Sequence, residues 1–369
     1  MKGNRLWVLM AAVVVAWCWG GGADSGMRPD SPGSPASGGW SVPFYPTPEK
    51  ARLCGEPVPL DDPVVWERFD REFTIVVYGH AQVYLWLKRM NRYFPWVEEQ
   101  LRRRGLPDDL KYLAVAESDL LFYARSPKGA TGPWQFIKST GRRYGLEQNG
   151  HVDERRDFEK ATNGALAYLA DLHGMFHNWA LAMAAYNCGE GRVRRELERQ
   201  RVGSYYQLDL PTETERYILR ILAIKEVLSR PELYGYRLPQ GAAYPEVAVD
   251  RVSVTVPHPV PIERAARAAG VPYRHFRLLN TAFISDTLPS GSHVIRVPRG
   301  SGERFRKQLQ RIAPDRPSGG SGVVHHRVRK GESLGVIAER YKVSVNELRR
   351  WNNLKGDLIR HNQRLKIVK

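Results

Sequence analysis

The sequence predicts a multidomain fold: one mainly α domain followed by two small α+β modules of βααβ plan. Three observations predict it. At 369 residues the chain exceeds what one hydrophobic core usually serves. From residue 61 to about 240 apolar residues recur at three- and four-residue spacing, and nothing there reads as a strand. Beyond 245 the character changes to strand-like alternation, and two successive blocks place their apolar residues at matching offsets.

Taken in order, Lys2 and Arg5 precede a short apolar run, Leu6 to Trp19, and small residues follow from Gly20 to Ala23. A basic start, an apolar stretch and a small-residue zone form an export signal over residues 1–23, the run being short for a membrane span. Cleavage just before Cys18 with lipid attachment there is a second way to process the same segment and would tether the protein to a membrane. Residues 24–60, rich in Gly, Pro and Ser at their start, read as a flexible tether.

The helical domain, 61–240, opens with apolar positions Val65, Phe69, Phe73, Val76, Val77, Tyr84 and Leu87 in one stretch from Val64 to Tyr93. Pro95 is expected to start a new helix that breaks at Gly105, and Pro107 to open the next. Further helices are expected at about 134–144, 157–176, 178–186, 189–200 and 213–229. Val247, Val249, Val252, Val254 and Val256 then alternate as a strand. In the two repeated blocks, 245–299 and 323–369, Ile262, Ala265, Ala266, Phe276 and Asn280 fall at the offsets of Leu334, Ile337, Ala338, Leu348 and Asn352. The segment 300–322 between them, ending PSGGSG, reads as a linker.

A formal net charge of +17 and a pI near 9.9 point to a polyanionic partner or surface. Export removes nucleic acid from the partners, and no nucleic-acid-binding motif is present. The ten histidines are scattered, His325-His326 reading as an exposed pair, so no metal set and no cofactor are expected. In an oxidising compartment Cys54 and Cys188 could pair or remain buried thiols.

The chemistry concentrates in PDDLKYLAVAESDLLFYARSPKGATGPWQF, Pro107 to Phe136. Glu117 closes an apolar helical run, so partial desolvation should raise its pKa and let it act as a proton donor near neutrality; a solvated helix-end Glu is the bland alternative. Glu117-Ser118, Ser126, Gly129-Ala130-Thr131-Gly132 and Trp134-Gln135-Phe136 are followed by Ala185-Tyr186-Asn187-Cys188-Gly189 and by Pro211-Thr212-Glu213-Thr214 with Tyr217. In kind, order and spacing these motifs resemble the lytic murein transglycosylases of the soluble-lysozyme-like kind, in their D-type variant.

That resemblance implies a lysozyme-like catalytic domain. Glu117 would be its single acid and then base, and Ser126, Gly132, Gln135, Tyr186, Asn187 and Tyr217 would bind substrate. It also implies cleavage of peptidoglycan glycan strands to 1,6-anhydromuramoyl ends; goose-type lysozymes share the lone Glu and hydrolyse instead. A catalytically idle wall-binding protein is the third reading. Asp119 should point away from Glu117 on a helix, and Glu213 suits a helix start.

The terminal block, VRKGESLGVIAERYKVSVNELRRWNNL ending NQRLKIV, looks like a LysM domain, a glycan-gripping module. Its glycan-binding residues are expected at Gly331, Glu332, Ser333, Leu334, Asn352 and Ile359. Residues 245–299 would be a degenerate LysM-like copy. Between 323 and 369 twelve Lys or Arg face four acids, a net of +8 suited to the carboxylates of peptidoglycan stems or to a solvated face. The expected partner is peptidoglycan, the expected assembly a monomer, and the expected location the periplasm or cell envelope.

Overall fold

In the computed structural model, residues 43–312 and 323–368 are described; the expected export signal, Cys18 and the start of the expected tether lie outside them. A hairpin opens the fold, β1 (Ala51–Leu53) and β2 (Glu56–Val58), and eight helices follow. These are α1 (Pro63–Val77), α2 (His80–Arg103), α3 (Lys111–Ser118), α4 (Lys138–Arg143), α5 (Phe158–Phe176), α6 (Trp179–Cys188), α7 (Glu190–Gln200) and α8 (Thr212–Ser229).

Residues 51–236 share one core, with Phe69, Leu113, Trp134, Leu169 and Ile221 sealed in it. Helix starts follow their caps. Asp62 accepts from Val64 N at 2.8 Å, Asp157 from Lys160 N at 3.0 Å and Asn178 from Leu181 N at 2.9 Å.

Two expectations fail in this domain. The tether does not extend to residue 60. Ala51, Leu53, Cys54, Val58 and Leu60 are buried in the main core, so a strand pair precedes the helices. The expected break at Pro95 is also absent. The chain turns instead at Tyr78-Gly79, and α2 runs through Pro95. Val83, Trp86, Phe94, Val97 and Leu101 are buried along α2 on both sides of that proline. Burying each such side chain contributes about 1.5–3 kcal/mol. Together they outweigh the roughly 3 kcal/mol an internal proline costs.

The second core belongs to β3 (Val249–Val256), β4 (Val260–Pro261), α9 (Ile262–Ala269), α10 (Tyr273–Leu279), β5 (Thr287–Leu288), β6 (Gly291–Pro298) and α11 (Gly302–Gln310). β3 pairs antiparallel with β6 from Val249↔Pro298 to Val256↔Gly291. The expected linker 300–322 is therefore shorter at its start, because Phe305 and Leu309 of α11 are buried in this core.

The third unit is β7 (Val323–Arg327), α12 (Leu334–Tyr341), α13 (Val345–Trp351) and β8 (Arg364–Val368), with β7 antiparallel to β8 around Val328, Leu334, Ile337, Leu348, Leu365 and Ile367. Helices α9 and α12 have eight residues each and α10 and α13 seven, so the βααβ repeat is present. His326 is not exposed: it is buried between Tyr341 and Glu332, at 3.0 and 2.7 Å. Among the described residues no helix is long and apolar enough to cross a membrane, and no cluster of His, Cys, Asp and Glu could hold a metal ion.

Candidate active site

Glu117 sits in the last turn of α3. Asp119 and Leu120 both take left-handed backbone conformations, φ 57° and 62°, which ends the helix at once. Asp119 is turned away, accepting the Trp86 indole N–H at 2.8 Å, while Arg89 donates to its carbonyl at 3.1 Å. The carboxyl of Glu117 accepts a hydrogen bond from the Tyr217 hydroxyl on α8. Burial pushes the Glu117 pKa up to about 7, against the lowering effects of that hydrogen bond and of Arg220, with Glu213 adding a smaller upward push. Tyr186 on α6 lies close enough for Glu117 to help burial hold its phenol protonated. Its hydroxyl donates to Trp134 O at 2.7 Å.

The loop Ala124–Phe136 forms one wall of this cluster and is tied from several sides. Ser118 Oγ donates to Pro133 O at 2.7 Å, which links the end of α3 to the loop. Gly132 has φ +85°, and a Cβ there would stand 1.7 Å from Arg155 O, so the loop's approach to that segment requires glycine. Arg155, nearly buried, donates through Nη1 to Gly129 O and Phe136 O, both at 3.1 Å, and is itself held by Asp153 at 2.7 Å. Trp134 is sealed in the core, its indole N–H on Thr162 Oγ1 at 2.8 Å.

Of the expected site residues, the structure brings Glu117, Tyr217 and Tyr186 together. Others make contacts different from those expected. Ser126 Oγ accepts from Ala130 N at 3.1 Å, and Gln135 Nε2 donates to Gly132 O and Ala124 O at 2.8 and 3.2 Å, so both fold the loop on itself rather than reach Glu117. Asn187 Oδ1 accepts from Thr214 Oγ1 at 2.7 Å, joining α6 to α8. Glu213 is exposed at the start of α8, 3.5 Å from Lys128 of the loop.

Of the two outcomes open to the cysteines, the disulfide is not formed. Cys54 and Cys188 are free, Cys54 lying near Asp109 and Glu56 while Cys188 lies near Thr214 and Arg192. Arg155 was missed: in a charged stretch of sequence nothing distinguishes an arginine bound to two loop carbonyls from a solvated one.

The chain carries a transglycosylase SLT domain. The "Transglycosylase SLT domain" family matches residues 94–208, which include Glu117 and Tyr186. A "Lytic transglycosylase MltD, LysM-like domain" matches 250–314, and a LysM domain 326–368. The membrane-bound lytic murein transglycosylase D of Escherichia coli K12 is 33% identical over 294 residues, 76% of this chain and 64% of that protein. The chain thus spans less than two thirds of that relative's length. The peptidoglycan transglycosylase gp16 of Escherichia phage T7 is 33% identical over 143 residues, 37% of this chain and 11% of gp16. Among solved structures, an inactive mutant of the lytic transglycosylase Slt of Pseudomonas aeruginosa is 26% identical, covers 41% of this chain and 26% of its own, and has a TM-score of 0.32. Tyr217 lies beyond the SLT match, on the helix that completes the domain.

In the LysM domain several expected glycan contacts are structural. Leu334 is core, and Ser333 caps α12. Glu332 accepts from Arg329 N at 2.9 Å, and that N–H, then His326 and Arg340, hold its pKa down to about 2. Asn352 bonds both backbone groups of Lys366, at 2.7 and 2.6 Å. Gly331, φ +85°, forms the turn before α12, and Ile359 is half-buried against the core.

Proposed function

We propose that the protein is an exported peptidoglycan lytic transglycosylase of the cell envelope in which Glu117 is the single catalytic carboxyl. One observation carries most weight: a half-buried glutamic acid at a helix end, its pKa pushed up to about 7 and its carboxyl oriented by a buried tyrosine hydroxyl. Tyr217 occupies one carboxyl oxygen, which leaves the other to carry the proton. The names of the relatives agree with this substrate class.

In the proposed reaction Glu117 gives its proton to the oxygen between N-acetylmuramic acid and N-acetylglucosamine, and the C1–O bond breaks. The muramoyl N-acetyl carbonyl shares the positive charge at C1. The ionised Glu117 then takes the C6 hydroxyl proton as that oxygen closes on C1, giving a 1,6-anhydro end with no water consumed. A lone acid suits this route, because hydrolases usually set a second carboxylate across the bond. Among the described residues Glu213 is the one further carboxylate that acts on Glu117, and it is exposed beside Lys128.

Mass spectrometry of digested sacculi tests the reading. Anhydro ends support it, whereas reducing muramic acid ends mean hydrolysis. Glu117→Gln should lower release about 10²–10⁴-fold, the usual contribution of general acid–base catalysis; wild-type release would remove Glu117 from the mechanism. The sign of its stability effect follows from linkage. The folded carboxyl keeps its proton to about pH 7, whereas the unfolded one loses it near 4.5, so native stability falls as pH rises between those values. Glu117→Gln should therefore stabilise the fold by about 1–3 kcal/mol at pH 8 and have little effect below pH 4. Tyr217→Phe removes a donor that favours the ionised acid, so the alkaline limb of the activity profile should move to higher pH.

A further inference from the structure

The LysM-like and LysM modules superpose in sequence without a gap through both helices, which makes their loops comparable residue by residue. Ile262 corresponds to Leu334, Phe276 to Leu348 and Asn280 to Asn352. In both, the Asn amide closes on the last strand: Asn280 bonds Arg296 N and O, both at 2.8 Å, as Asn352 bonds Lys366.

Two LysM segments, Gly331–Leu334 and Asn352–Ile359, were expected to meet glycan. Their counterparts in the LysM-like module have other partners. Pro259–Ile262 replaces the first, and within it Val260-Pro261 pairs with Thr287-Leu288. Asn280–Thr287 replaces the second, and it lies on the SLT domain. Thr281 Oγ1 donates to Arg156 O at 2.6 Å, Asp153 N to Ala282 O at 2.8 Å and Ile284 N to His151 O at 2.8 Å. Ser285 Oγ meets His151 Nδ1 at 2.9 Å, and Val152, bridged to Phe283, is buried in the module's own core. Arg296 completes the seam, its guanidinium on both oxygens of Asp157 at 2.5 and 2.9 Å. A cavity of about 350 Å³ lines this seam and holds none of the residues around Glu117.

The gripped segment, His151–Asp157, contains Arg155, which donates to two carbonyls of the loop Ala124–Phe136. We propose that the LysM-like module is a positioning part of the active site rather than a glycan grip: its loop Asn280–Thr287 fixes His151–Asp157, and through Arg155 that segment fixes the loop to which Tyr186 and Ser118 are tied. The proposal rests on the transglycosylase reading of Glu117 for its kinetic consequence, but not for its structural one.

The test uses the full chain with Thr281→Val and Arg296→Gln combined. Misplacing a catalytic loop by about 1 Å costs up to roughly 10²-fold, so kcat should fall about 10- to 100-fold with KM within about twofold. Sacculus pelleting should be unchanged. Amide hydrogen exchange should quicken at Ser126, Thr131 and Gly132, whose N–H groups bond within the loop, and stay constant in α12 and α13. Arg296→Lys, which keeps the charge beside Asp157, should recover much of kcat. Arg155→Gln should reproduce the loop exchange while leaving the module's own amides protected. Should the double variant not fold, Thr281→Val alone supplies the same readouts at smaller amplitude.

Lost sacculus pelleting with kcat intact would overturn the proposal, as would unchanged exchange at those three amides in a chain whose Ala282–Ile284 amides have loosened. If the wild type releases no muropeptides, the transglycosylase reading fails alone, and exchange at the three amides still decides this one.

Discussion

The LysM-like module and the LysM domain share one chain path and differ in where their loops are spent. In the first, Asn280–Thr287 bonds the SLT domain, and Asp286 accepts from Tyr273 Oη at 2.7 Å and from Ile262 N at 2.9 Å. In the second, the position matching Asp286 is Leu358, which is 94% exposed, amid exposed Asn353, Lys355, Gly356 and Asp357. A βααβ unit closes its core with its helices and strands, so its loops are free to take either a ligand or a neighbouring domain. Fold and family membership therefore do not say how each copy spends its loops; the partners of the loops do.

Substitutions at matched positions can break this comparison. The largest effect is expected in the two cores. Phe276→Ala should cost about 3–5 kcal/mol and reduce activity, because it loosens a module joined to the SLT domain. Leu348→Ala should cost about 2–5 kcal/mol, yet leave cleavage of soluble glycan fragments unchanged. Thermal unfolding alongside fragment turnover separates them, and equal activity losses would show that the two modules serve catalysis alike.

A smaller difference is expected at the matched asparagines. Each alanine variant leaves the strand's N–H and C=O unpaired, at roughly 1–3 kcal/mol for a buried group. Asn280 is 2% exposed and Asn352 half-buried, so Asn280→Ala should shift the urea midpoint more. The smallest stability effect is at Leu358→Asp, within about 0.5 kcal/mol for an exposed site, but it should weaken pelleting with sacculi. Unchanged pelleting would take Leu358 out of the glycan contact and leave the exposed loop without its proposed use.

Much of the candidate site could be read from sequence because its signals are local. Glu117 closes an apolar helical run, the Gly129–Gly132 and Trp134–Phe136 motifs occupy one stretch, and the start of α5 follows the side-chain cap at Asp157. What was misread depends on partners far along the chain. The hairpin's three-residue strands around Gly55 are too short to show a period, and their burial is decided by the helices above them. Ser126 and Gln135 carry the expected residue types but turn inward, Ser126 Oγ accepting from the Ala130 N–H and Gln135 Nε2 donating to the Gly132 carbonyl.

By itself the sequence determined the helical domain, the repeated βααβ unit and the place of Glu117 at the end of an apolar helix, because cap chemistry, apolar period and helix termination act over a few residues. Tertiary structure alone decided that Tyr217 meets Glu117 a hundred positions away and that Cys54 and Cys188 stay apart. It alone decided, too, that one LysM-type loop is hydrogen-bonded to the SLT domain while its twin stays in solvent. Those outcomes depend on which surfaces pack together, and burial is a property of the whole fold that no local pattern encodes.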